Sequence, residues 1–150
     1  MELILWRHAE AEYSMPDFAR ALTDKGHRQA KQMAAWLKPR LPKDIRILVS
    51  PAKRAQQTAA ALGMDFTTLE AIAPGAPGQA LVDAALWPQA PSSVLLVGHQ
   101  PALGEAAALL LGGQSWNISI KKGAIWWLAH RERETEAHCL VRAVLSPDML

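Results

Sequence analysis

Leu3-Ile4-Leu5-Trp6-Arg7-His8-Ala9 runs four apolar residues straight into an arginine and a histidine. The pattern predicts a buried strand that delivers two polar side chains to its carboxyl end. In an open α/β sheet, ligands sit outside that end. An arginine and a histidine there supply a fixed cation beside an imidazole able to act as nucleophile or base.

The same unit recurs along the chain. Ile45 to Val49 is a second short apolar run, followed at once by Ser50-Pro51-Ala52-Lys53-Arg54. Serine as N-cap and proline at the first helical position form an entry signal. Ala55, Thr58, Ala59 and Leu62 supply a buried stripe, and Gly63 a stop. Arg54 then falls within a turn of a helix N-terminus, where free backbone amides already favour an anion. Val94-Leu95-Leu96-Val97 enters Gly98-His99-Gln100-Pro101 ahead of a helix over Ala102 to Leu111, stopped by Gly112-Gly113. Parallel strands carry Arg7, His8, Arg54 and His99 to one edge of the sheet. Two guanidinium forks and two imidazoles in one small volume suit a phosphoryl group. Taken singly, each has a plainer reading: Arg7 in an ion pair, His8 satisfied at a strand end, Arg54 on a surface helix, His99 bonded to loop backbone.

Between these junctions, Glu10 to Leu22 reads as a loop beside the site. Thr23 caps a helix whose apolar face is Ala30, Met33, Ala34, Leu37 and Leu41, and Pro39 ends it. Phe66 to Leu69 reads as a third strand, Pro74 to Gly78 as a loop, and Gln79 to Trp87 as a short helix closed by Pro88. Ala124 to Ala129 and Ala137 to Leu145 read as a strand pair around a polar turn, Arg131 to Glu136. Trp126 and Trp127 then face opposite ways, with one in the core. Trp87 and Trp116 are candidates for a partner surface, with loop or core packing the plainer expectation.

With 150 residues, 50% of them apolar and 20% charged, the chain is expected to fold as one globular domain over residues 1–150. No apolar run approaches the ~20 residues of a membrane span, and Glu2 leaves no cationic leader before the first apolar run. A cytoplasmic protein with no membrane partner is the expectation. The single cysteine, Cys139, can close no internal disulfide and reads as a small buried hydrophobe. The net charge of +2 hides an asymmetry: Arg20 to Arg54 holds ten Lys or Arg against Asp24 and Asp44, whereas Ala55 to Ile120 holds none. Such a basic half can steer anions towards a site, with a solvated helix face as the plainer reading. Only Trp36 interleaves aromatically with those charges, so no nucleic-acid partner is expected. No acidic cluster suited to magnesium accompanies the arginines, and neither metal nor cofactor is expected.

Arg7-His8-Ala9, Leu22-Thr23-Asp24-Lys25-Gly26, Ser50-Pro51-Ala52-Lys53-Arg54-Ala55-Gln56-Gln57-Thr58 and Gly98-His99-Gln100-Pro101, in this order, resemble the successive signatures of the histidine phosphatase superfamily, whose fold is phosphoglycerate mutase-like. The short length, the Arg-His-Ala variant and Arg20-Ala21-Leu22-Thr23 are most similar to the bacterial SixA-like phosphohistidine phosphatase branch. The resemblance implies a three-layer α/β/α sandwich with a mostly parallel central sheet. It implies His8 as nucleophile, passing through a phosphohistidine enzyme. Arg7, Arg54 and a protonated His99 are implied as catalytic phosphate ligands, and Arg20 as an additional phosphate ligand.

The departure from the family pattern is the general acid. No clear counterpart of its glutamate follows Leu69; Glu70, Glu10, Asp17 and Asp83 are candidates, each with a solvated surface role as the plainer reading. Phosphohistidine, a better leaving group than an alkoxide, therefore stands first as substrate, on a signalling or phosphorelay protein. The short connection from Leu69 to Val94 leaves little chain for a lid, which favours a protein-borne phosphate. The alternatives are a small-molecule phosphomonoesterase and a non-catalytic phospho-ligand binding module.

Overall fold

In the computed structural model, which describes residues 1–150, the strands are β1 (Glu2–Arg7), β2 (Arg46–Val49), β3 (Thr67–Thr68), β4 (Val94–Gly98), β5 (Ile125–Arg133) and β6 (Glu136–Leu145). The helices are α1 (Asp24–Leu37), α2 (Lys53–Ala60), α3 (Gly78–Ala84) and α4 (Ala102–Gly112). One sheet holds all six strands in the order β3-β2-β4-β1-β5-β6. The first four run parallel, and β5 and β6 are added antiparallel. The chain is a three-layer α/β protein, as its alternating units predict.

The continuous apolar runs of β1, β2 and β4 are explained by burial on both faces. Successive side chains leave a strand on opposite sides. Leu3, Leu5, Leu48, Val94, Leu96 and Leu128 meet Leu81 of α3 and Leu103 of α4 in one core layer. Ile4, Trp6, Ile47, Val49, Leu95 and Val97 meet Met33 and Leu37 of α1 and Ala55 of α2 in the other. Trp127 is buried and Trp126 half-buried, on opposite faces as expected. Thr23 caps α1 by accepting a hydrogen bond from the Gly26 amide (2.9 Å). The helix ends at Leu37, and residues 38–40 continue as a single 3₁₀ turn.

The structure corrects several boundaries. Ser50 is not the N-cap of α2; Ala52 holds that position without a side-chain bond, and the buried Ser50 hydroxyl instead accepts from the Ala52 amide (3.2 Å). The third strand shrinks to Thr67–Thr68, an exposed edge pair with little to bury. α3 stops at Ala84 rather than Trp87 because Leu86 takes a left-handed φ of 55°. Trp87 is half-buried, its ring edge-on to His130 at 5.7 Å, whereas Trp116 is exposed. The polar stretch 131–136 is mostly strand: only Glu134 and Thr135 turn the hairpin, so a solvated ladder was disguised by its charges. Cys139 is half-buried rather than buried, because β6 is an edge strand. No helix is long and apolar enough to cross a membrane.

Candidate active site

Adjacent parallel strands β2, β4 and β1 end together, and the ladder continues into the following residues. The His8 amide donates to the Gly98 carbonyl (3.1 Å) and the Ser50 amide to the Val97 carbonyl (3.1 Å). These bonds fix three junctions side by side at the carboxyl edge. His8, Arg54 and His99 are buried there, only 4 to 6% exposed, and Arg7 is half-buried. The rings of His8 and His99 lie 5.2 Å apart, tilted by 52°.

Nδ1 of His8 lies 2.7 Å from the carbonyl oxygen of Ala9. A carbonyl only accepts, so Nδ1 carries the proton and Nε2 keeps its lone pair. The Ala9 peptide is itself held: its amide donates to Thr58 Oγ1 (3.0 Å), and the Thr58 hydroxyl donates to the Arg54 carbonyl (2.7 Å). Burial first, and then the charges of Arg54, Arg7 and Arg20, push the His8 pKa down to about 4, against the raising effect of its bond to Ala9. At neutral pH His8 is an uncharged imidazole with a free nitrogen, the form that attacks phosphorus.

His99 Nε2 lies 2.7 Å from Ser50 Oγ, while its Nδ1 is buried without a protein partner. Burial, with the neighbouring His8 and Arg54, lowers the His99 pKa to about 3. Burial of the ring thus favours its neutral form, and the negative charge of a bound phosphoryl group is what would favour the protonated one. Arg7 Nη1 donates to the Ile120 carbonyl (2.7 Å), which anchors the fork at one end. Arg54 donates from Nη1 to the Asp17 carbonyl (2.8 Å) and from Nη2 to Asp17 Oδ2 (3.2 Å). Nε of both Arg7 and Arg54 is buried without a protein acceptor.

Arg20 joins this group through Asp17, whose Oδ1 it reaches at 3.3 Å, and its Nε is held by the Glu12 carbonyl (2.7 Å). Burial raises the Asp17 pKa, but the Arg20 hydrogen bond and the charge and bonds of Arg54 outweigh it, leaving the carboxyl below its usual value. That is the reverse of what a proton donor needs. Glu10 accepts from the Thr23 hydroxyl (2.8 Å) beside the Arg7 cleft. Glu70 and Asp83 are exposed on the 3₁₀ turn 70–72 and on α3, and Asp83 is engaged by Gln79.

Sequence reading missed the supporting polar groups. Thr58 passes for part of an apolar stripe and Ser50 for a cap. Gln56 holds the Ser50 carbonyl (2.8 Å), and Gln57 holds the Leu22 amide (2.7 Å). The available signal was polar residues at positions the helical period assigns to the core.

Residues 3–73 match the model of the histidine phosphatase superfamily, branch 1. The phosphohistidine phosphatase SixA homolog of Haemophilus influenzae is 37% identical over 128 residues, which cover 75% of this chain and 78% of that protein. The chain belongs to the histidine phosphatase superfamily. It is similar to phosphohistidine phosphatase SixA of Escherichia coli, at 34% identity over 77% of each chain. The structure of the protein histidine phosphatase SixA complexed with tungstate overlays it with a TM-score of 0.79, at 26% identity over 99% of both chains. This histidine phosphatase is thus of the SixA-like kind, and the matched residues 3–73 include Arg7, His8 and Arg54.

Proposed function

We propose that this histidine phosphatase removes the phosphoryl group from phosphohistidine on a signalling or phosphorelay protein, without a metal, through a transient phosphohistidine at His8. The observation that carries the reading is the His8 Nδ1–H bond to the Ala9 carbonyl, which leaves Nε2 unprotonated beside two arginines. Nε2 attacks phosphorus in line, the P–N bond to the substrate imidazole breaks, and that imidazole nitrogen takes a proton from solvent. Water then attacks the phosphoryl group and expels neutral His8. Arg7, Arg54 and Arg20 hold the oxygens, and His99 donates to one of them from Nδ1. Positioning and charge stabilisation are most of what phosphoryl transfer requires, and the guanidinium groups supply the cationic charge.

The substrate class is supported by the names of the SixA relatives and by a leaving group that can do without a buried acid. Asp17, the candidate nearest the cluster, is held as a carboxylate. The free Cys139 fits a reducing compartment, the cytoplasm.

The test is phosphate release from a histidine-phosphorylated carrier protein and from 4-nitrophenyl phosphate, with chelator present. Wild type is expected to prefer the carrier strongly, and His8→Ala to lose about a thousandfold or more. A preference for the phenyl ester would replace this reading with a general phosphomonoesterase. Release from neither substrate would leave a phospho-ligand binding module.

A further inference from the structure

The two most exposed large apolar side chains of the molecule, Tyr13 and Met15, stand with Phe18 on the loop that ends at Arg20. The loop is closed at its base by the Glu12 amide bond to Ala21 (2.8 Å), the Ala11–Leu22 bridge and the Arg20 bond to Glu12. Its apolar tips are therefore presented on a fixed frame. Arg20 stacks 5.5 Å from the Tyr13 ring centre, and Lys122 lies 5.9 Å from it. Lys122 in turn lines an open cleft of about 740 Å³ that it shares with Arg7, Lys25, Arg28 and Lys121. The rim of the catalytic cluster thus runs from Arg54 through Asp17, Arg20 and Tyr13 to Lys122 and the Arg7 cleft.

The charges of this rim are largely unspent. Glu10, in the cleft, is engaged by Thr23, and Asp148 pairs with Lys121 at 3.5 Å. Lys25, Arg28 and Lys122 have no carboxylate within ion-pair distance. The cleft thus gathers five cations, Arg7, Lys25, Arg28, Lys121 and Lys122, against two side-chain carboxylates, Glu10 and Asp148. Unpaired cations beside an exposed aromatic anchor match an acidic protein surface better than a lone small metabolite, since electrostatic complementarity sets register and encounter rate.

We infer that Lys25, Arg28, Lys122 and Tyr13 form a docking rim that reads acidic and apolar residues flanking the phosphorylated side chain of a protein substrate. This rests on the proposed phosphohistidine phosphatase activity. The rim recognises the segment around the phosphoryl group, and the buried cluster recognises the phosphoryl group itself.

Two phosphohistidine peptides differing only in Glu or Lys flanks, together with free phosphoramidate as a small substrate, test this. Wild type at low salt is expected to show about a tenfold or greater kcat/KM preference for the Glu-flanked peptide, collapsing towards parity in about 0.5 M salt. The triple change Lys25→Glu, Arg28→Glu and Lys122→Glu is expected to abolish or invert that preference while phosphoramidate turnover changes less than about twofold. Tyr13→Ala is expected to weaken both peptides and leave phosphoramidate unaffected. Equal rates on the two peptides, or a preference untouched by the triple change, would overturn the docking rim while phosphoramidate turnover upheld the phosphatase. No turnover of phosphoramidate or either peptide would overturn both readings.

Discussion

At Ser50 one hydroxyl serves two neighbours. It accepts from the Ala52 amide, which turns the chain into α2, and it meets His99 Nε2 at 2.7 Å. In the proposed mechanism this hydroxyl donates to Nε2, which places the imidazole's own proton on Nδ1, the nitrogen assigned there to a phosphoryl oxygen. Ser50→Ala is therefore expected to lower kcat roughly tenfold to a hundredfold and to weaken inhibition by inorganic phosphate, with the circular dichroism of the fold retained. Unchanged kcat and phosphate inhibition in a folded variant would remove Ser50 from the account. This role was hidden in the sequence because a serine before a proline carries a helix-entry signal of its own, and only the tertiary meeting with β4 distinguishes the two. His8, Arg7, Arg54 and His99 were legible because strand-end position is a matter of hydrophobic pattern. Their mutual distances and tautomers were not, since they depend on Ala9 and Thr58, residues with no chemical signature.

At the scale of elements, the approach of α1 to the segment after β1 depends on Gly26. A Cβ there would stand 2.0 Å from the Glu10 carbonyl oxygen, a backbone atom that cannot swing aside. Gly26→Ala is expected to destabilise the protein by about 2 kcal/mol or more despite its better helix propensity, and to disturb the loop that carries Asp17 and Arg20. Equal or greater stability in chemical denaturation would contradict that packing. The β/α units were readable because apolar runs and capping residues are local signals. The β5–β6 hairpin was only half readable: beyond the core its residues are exposed on both faces, so no alternation distinguishes ladder from loop. α3 ended early for a similar reason, the left-handed Leu86 being imposed by how the chain must turn towards β4 rather than by its own preference.

For the whole molecule, the sheet order is what makes four separated residues one site, and the same burial imposes a pH dependence on stability. The unfolded chain titrates its histidines near 6.5. The folded chain holds His8 at about 4 and His99 at about 3. Between those values the unfolded state binds more protons, so stability is full above about pH 6.5 and is lost as pH falls towards 3. His8 alone accounts for a loss on the order of 3 kcal/mol. The melting temperature of wild type should fall more between pH 7 and pH 4 than that of a His8→Asn, His99→Asn double variant; parallel curves would contradict the assigned neutral imidazoles.

His8 is expected to carry the phosphoryl group during turnover. The most direct measurement is a rapid single-turnover reaction with a histidine-phosphorylated carrier protein, quenched in base and mapped by mass spectrometry. Up to one phosphoryl group per chain is expected on the imidazole of His8, forming and decaying on the timescale of phosphate release and absent in His8→Ala. Phosphate release at the wild-type rate with the label never on His8, or retained by His8→Ala, would contradict it.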